Sequence, residues 1–360
     1  MLPHINIFRD MASASLKQIE FTRSHTQIVK GVAIVLMLLW HVTGWGAYDV
    51  PMSYWPMPYR WRPMWLVCAG IYTFMVGYGY AFSKKKDLAY AAKHIWRLLR
   101  TYWAVLLVFT LPVLAAVAGP EAITRPGIKG IAEILVGLRD DWNYYSWYVY
   151  FFIFAMAVMP FVGRLIDRWP VVGTLISIIV FYACNIAINH LGLLIANPNV
   201  GGIVAKCTHL MPTAIVGYAA AHCGLVTRLR LPRQWWVALA AAIAAIIAFV
   251  LFHALSHSED YYIFNYLLCA PVIVVAIVVI FNLYEMPPLS RVLMSLGKAS
   301  VWMWFLHCVF FLDDVRTVYQ PIISWSGNVW VAVLCAILST YAVARAMMWI
   351  ESRLKAIFGR

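Results

Sequence analysis

Long apolar blocks separated by short polar stretches run along the whole chain. Gly31–Trp45, Trp65–Phe82, Thr101–Gly119, Trp235–His253 and Pro271–Tyr284 are nearly free of charge and rich in Leu, Ile, Val, Ala and Phe. A helix needs about 20 mostly apolar residues to cross about 30 Å of hydrocarbon, and several blocks reach that length with their flanks. The pattern predicts helices at roughly 28–47, 63–82, 101–120, 145–164, 170–192, 201–222, 235–255, 262–283, 299–318 and 326–349. Ten crossings bring both ends of the chain to the same side. The strict apolar–polar alternation of a membrane β-barrel is absent. The expected fold class is therefore an all-α, polytopic membrane helix bundle.

Composition agrees: 63% of the 360 residues are hydrophobic and 12% are charged, about half the charged share of a soluble domain. The net charge of +13 raises the question of nucleic acid, and its distribution answers it. With the N-terminus inside, the inner segments hold 21 Lys and Arg residues. The outer ones hold six (Arg60, Arg62, Arg125, Lys129, Arg139, Arg316), and Lys206 alone lies within a span. Nine acids fall outside and six inside. This bias is the positive-inside signature, so the expectation is a multi-pass protein of the cytoplasmic (inner) membrane with both termini cytoplasmic and no nucleic-acid partner. Residues 1–27 read as a short cytoplasmic extension without the apolar centre of a secretory signal, 28–353 as one membrane domain and 354–360 as a tail. No internal repeat is visible, and no loop is long enough for a second soluble domain. The seven cysteines are odd in number, form no CxxC pair and sit mostly in apolar blocks, which points to packing and to no metal or disulfide site.

Chemistry concentrates in a few places. In KGVAIVLMLLWH, Lys30 and His41 are eleven residues apart, almost three turns and about 16 Å of rise, so they share one helix face with the lysine at the inner surface and the histidine near mid-membrane. An ionisable group at that depth normally faces the bundle interior or a cavity; the plain alternative is a packed, hydrogen-bonded core histidine. In SKKKDLAYAAKHIWRLLRTYW, Lys86, Lys93, Arg97 and Arg100 recur at helical spacing as one cationic stripe. Such a stripe fits the phosphates of a nucleotide such as coenzyme A, arginine through its planar fork, or else anchors the helix among anionic lipid heads. His94 lies in the same stripe. In the ninth segment, His307 follows Lys298 by nine residues, and Asp313 and Asp314 come next. His307 reads as structural or catalytic. The two aspartates read as acceptor-facing acids near the outer mouth, or as partners of Arg316. Lys206, beside Cys207 and His209, is a pocket candidate. The outer loop Trp45–Trp65 is dense in Trp, Tyr, Met and Pro, as an interfacial cap would be. Neither HExxH, a Gly-rich phosphate loop nor GxSxG occurs.

Taken together, Lys30 and His41 in the first helix and Arg97-x-x-Arg100 before the third resemble acyltransferase family 3, the membrane O-acyltransferases of bacterial surface sugars. SWYVYFFIF (Ser146–Phe154) and LMSLGKASVWMWFLH (Leu293–His307) are similar to that family's fourth-helix and late Gly-Lys-x-Ser stretches. The resemblance covers about Arg23 to Arg353. It implies transfer of an acyl group, most often acetyl, from cytoplasmic acyl-CoA to a hydroxyl of an extracytoplasmic acceptor such as a cell-envelope polysaccharide. His41 would then be the essential group, with His307, Asp313 and Asp314 as further candidates, and Lys30, Lys93, Arg97 and Arg100 would hold the donor. The imidazole would act as base toward the acceptor or hold the acyl group briefly. Lysine stands at position 30 where arginine is common in the family, which keeps the charge and loses the fork. Many relatives carry an SGNH-hydrolase-type domain after the helices; this chain is expected to act alone or with a separate partner. From a different class, a proton-coupled secondary transporter or flippase would also carry buried His, Lys and Asp. A soluble output domain, which a receptor would need, is not visible.

Overall fold

The computed structural model describes residues 16–44, 53, 59–83, 85–143, 146–190, 198–258 and 264–358. Its apolar segments form helices long enough to cross a membrane: α1 (Arg23–Thr43), α2 (Val67–Ala81, entered through a 3₁₀ segment Tyr59–Leu66), α3 (Leu88–Ala118), α5 (Trp147–Arg168), α6 (Pro170–His190), α7 (Pro198–His222), α8 (Trp235–Ser256), α9 (Asn265–Leu283), α10 (Pro287–Phe310) and α12 (Val329–Phe358). Shorter helices lie between spans, among them α4 (Gly127–Leu135) and α11 (Asp313–Ile323). A two-stranded antiparallel pair, β1 (Leu16–Gln18) with β2 (Arg230–Pro232), ties the N-terminal stretch to the α7–α8 connection. Most of the aromatic outer stretch, 45–52 and 54–58, lies outside the described residues.

The helices sort by how much of their surface the protein covers. α1, α2 and α10 are mostly buried, whereas α6 and α8 leave most of their apolar surface outward, the arrangement expected where lipid tails are the neighbour. Lipid is as apolar as leucine, so interior helices associate by close approach at small residues. Here two crossings are built on reciprocal glycines. A Cβ on Gly31 would stand 2.1 Å from the carbonyl oxygen of Leu293, and one on Gly297 would stand 1.9 Å from that of Gln27. In the same way Gly77 meets Ala214 O and Gly217 meets Phe74 O. The first pair locks α1 onto α10, the second α2 onto α7.

Several boundaries differ from the sequence reading, each for a local reason. α3 begins at Leu88, capped by Asp87, whose side chain accepts from Tyr90 N, so Lys93, Arg97 and Arg100 ride on the third span itself. A π-helical turn, Leu106–Thr110, precedes Pro112, consistent with a ring that leaves the carbonyl four residues back without its partner. The ninth span is shifted toward the N-terminus, because α10 starts on Pro287 and Pro288 and stops at Phe310. Leu312 is extended (ψ 137°), and Asp313 and Asp314 open a new helix, where carboxylates favour the positive end of the helix dipole.

Candidate active site

α1 and α10 run in the same direction from their glycine crossing, and ten residues beyond Gly31 and Gly297 they carry His41 and His307. The two imidazoles meet there, ring centroids 4.8 Å apart and planes tilted by 44°. His41 is 7% exposed and His307 is fully buried. Each stands in the last turn of its helix, and α1, expected over 28–47, ends at Thr43, two residues beyond His41. Phe311, at the break after α10, closes over His41 at 5.1 Å.

The tautomer of His307 follows from its partner. Its Nδ1 meets the carbonyl oxygen of Trp304, which can only accept, so Nδ1 carries the hydrogen and Nε2 a lone pair. The end of α1 is held by Arg62, which the sequence identified only as one of the outer cations. Arg62 Nε donates to Trp40 O at 2.9 Å, and its guanidinium lies 3.6 Å over the Trp40 ring. A cation at a helix C-terminus satisfies a spare carbonyl and opposes the dipole. The only sequence cue was an arginine in an aromatic stretch beside the span.

His41 faces a cavity of about 1700 Å³ whose wall also carries Trp40, Trp147, Tyr150, Lys206, Asp313 and Asp314. Charges gather around it. Arg139 is paired with Asp141 at 2.8 Å and lies 3.9 Å from Glu133. Arg316 is paired with Asp313 at 3.3 Å, so this aspartate both makes the helix-end pair and lines the cavity. Partial desolvation at the wall pushes the Asp140 carboxyl above the ordinary carboxylate range, and Asp141 adds to the shift while Lys206 and Arg139 oppose it. Lys206 sits with its ammonium 5.0 Å over the Trp147 ring. Asn143, buried, donates to Phe305 O at 3.0 Å and so fastens the α4–α5 connection to α10.

The cationic candidates lie at the other end of α1. Lys30 is half-buried and within electrostatic range of Arg97, while Lys93 and Arg97 are exposed on α3 and make no ion pair among the described residues. Arg100 pairs with Glu351 of α12 at 3.3 Å. Lys86 is not on the stripe. It precedes the cap of α3 and joins a cluster instead: Lys86 Nζ lies 2.9 Å from Asp167 Oδ2, Tyr218 OH donates to Asp167 Oδ1 at 2.6 Å, and His222 Nδ1 lies 3.0 Å from the same oxygen. His94 packs on Tyr90, with ring centroids 4.0 Å apart. The eight candidates therefore fall into two groups: His41 and His307, which touch each other, together with Asp313 and Asp314 on the wall of the cavity that His41 lines, and Lys30, Lys93, Arg97 and Arg100 at the basic end. Among the described residues no three His, Cys, Asp or Glu side chains cluster as metal ligands would.

Among the described residues, ten helices long and apolar enough to cross a membrane, bundled around a buried histidine pair of which His41 lines an open cavity, define a polytopic membrane protein. Residues 27–349 match the family model described as an acyltransferase domain, that of acyltransferase family 3, and the chain belongs to that family. No curated protein and no solved structure matches the chain. Membership makes it a membrane acyltransferase and sets aside the carrier reading.

Proposed function

We propose that the protein moves an acyl group, acetyl in the first instance, from acyl-CoA bound at the basic end to a hydroxyl of an extracytoplasmic glycan bound in the cavity. The observation that carries this reading is the contact of His41 with His307 beneath a cavity walled by aromatic rings and carboxylates, with the exposed cations Lys93 and Arg97 on α3, whose Arg97 lies within electrostatic range of Lys30 on α1. Aromatic faces and carboxylates suit sugar rings and their hydroxyls. The cations suit the donor's phosphates.

In this reading His41 takes the proton from the acceptor hydroxyl as its oxygen attacks the thioester carbonyl carbon. The new C–O bond forms, the C–S bond breaks, and the proton passes to the departing sulfur, so that coenzyme A leaves as the thiol. His307, its Nδ1 committed to Trp304 O, offers a lone pair from Nε2 toward His41 and orients that ring. Asp313 and Asp314 hold acceptor hydroxyls at the wall.

The test is turnover of acetyl-CoA by purified, reconstituted protein, read as released thiol and as acetylated oligosaccharide. His41→Ala is expected to fold and insert normally and to lose at least about 100-fold in transfer, as when a positioned base is removed. Near-normal turnover in that variant would falsify the assignment.

A further inference from the structure

The cavity that opens onto His41 has Trp304 in its wall, while Tyr72 and Lys30, further toward the basic end, do not line it. A continuous row of contacts joins the two ends. The Tyr72 hydroxyl donates to Lys30 O at 3.2 Å. The Tyr72 ring stands edge-on to Trp304 at 5.2 Å, and Tyr148 leans on the same indole at 4.9 Å. Trp304 then meets His307 at 6.0 Å, and His307 meets His41. Tyr72, Tyr148 and Trp304 are 8%, 8% and 6% exposed, so they fill the line that a donor arm would follow from Lys30 to His41.

One atom in this plug is out of balance. Trp304 Nε1 is shielded from solvent and has no acceptor among the described residues. An indole N–H can only donate, and a buried donor left without an acceptor raises the free energy of the state that holds it. A ligand that supplies a carbonyl oxygen would lower it. The arm of a pantetheine thioester carries such oxygens in its amides and in the thioester itself.

We propose that Trp304, backed by Tyr72 and Tyr148, is a gate between the donor site and the histidine pair, and that its indole N–H takes a carbonyl oxygen of the donor's arm when the arm displaces the plug. The gate rests on the reading of acyl-CoA as donor. With the arm absent, the three rings keep water in the cavity away from the donor side. With the arm seated, the N–H that was orphaned becomes a positioning contact for the thioester.

The experiment titrates two ligands against the full-length protein in detergent or nanodiscs: acetyl-CoA, and adenosine 3′,5′-bisphosphate, which is the nucleotide end without the arm. Trp304→Phe keeps the ring and removes the N–H. It is expected to weaken acetyl-CoA about tenfold, the loss of one hydrogen bond, and to leave the nucleotide unchanged. Trp304→Ala, which removes the plug, is expected to raise acetyl-CoA hydrolysis in the absence of acceptor several-fold over wild type. Unchanged acetyl-CoA affinity in Trp304→Phe, or an equal loss for both ligands, overturns the gate. A wild-type protein that binds neither ligand removes the donor reading instead, and the gate with it. Hydrolysis by Trp304→Ala at or below the wild-type level means that the rings seal nothing.

Discussion

Asp140 shows how a single side chain on the cavity wall links stability to pH. Its carboxyl is held above the ordinary range chiefly by desolvation, so the folded protein keeps that proton to higher pH than the unfolded chain. Above the ordinary carboxylate value of about 3.9 the folded state binds more protons, and this residue's contribution to stability falls as pH rises through the window up to its raised pKa. Asp140→Asn removes the ionisation. Its melting temperature is expected to exceed that of wild type at neutral pH, with the difference vanishing at about pH 3, below the ordinary carboxylate value. A variant that melts lower than wild type at neutral pH would mean that the charge at position 140 is a net stabiliser. His41 and His307 belong to the same scale, because their roles hang on which ring nitrogen holds a hydrogen, and the Trp304 carbonyl decides that for one of them.

Among the elements, the α1–α10 crossing decides whether the two rings meet at all. The space at Gly297 ends 1.9 Å from a backbone oxygen, and a backbone atom cannot swing aside as a flexible side chain can. Gly297→Ala should therefore push the helices apart and cost about 1–3 kcal/mol of stability by overpacking. Because the imidazoles sit ten residues beyond the contact, a larger fractional loss of acyl transfer is expected to accompany the lower melting temperature. Wild-type values of both would show that the helices meet less tightly than this. On α3, Arg97 is exposed and outside any ion pair among the described residues, whereas Arg100 is engaged with Glu351. Arg97→Ala should thus weaken acetyl-CoA more than Arg100→Ala does, and lysine at 97 should rescue only in part, since it lacks the fork. Equal and negligible effects on a donor titration would leave the stripe as an anchor for lipid headgroups.

Across the whole molecule, donor and acceptor in this mechanism are held apart by the length of α1. The phosphates of coenzyme A enter hydrocarbon only at high cost, so the donor should arrive where the exposed cations are and the acceptor through the cavity mouth. In vesicles of known orientation, product is expected when acetyl-CoA is supplied on the side of the termini and an oligosaccharide on the opposite side. Product formed only when both share the terminal side would refute the arrangement while leaving the acyltransferase intact.

Much of this plan was legible in the chain because the properties behind it are local. Transfer of an apolar block into lipid depends on some 20 consecutive residues, and the common face of Lys30 and His41 depends only on the helical repeat. So the ten spans, the cationic face of α3 and the first histidine could be read without a partner in view. The end of α10 was less visible, since an apolar run carries no mark where the backbone will break, and Leu312 turns out of the helix only in the folded chain. Tertiary structure alone decided that His307 lies against His41, that Arg62 closes the end of α1, that Lys86 leaves the stripe for Asp167, and that Trp304 packs against both Tyr72 and His307. Those are contacts between helices remote in sequence. They arise where two small-residue surfaces fit, and shape complementarity of that kind leaves no periodic trace in either helix by itself.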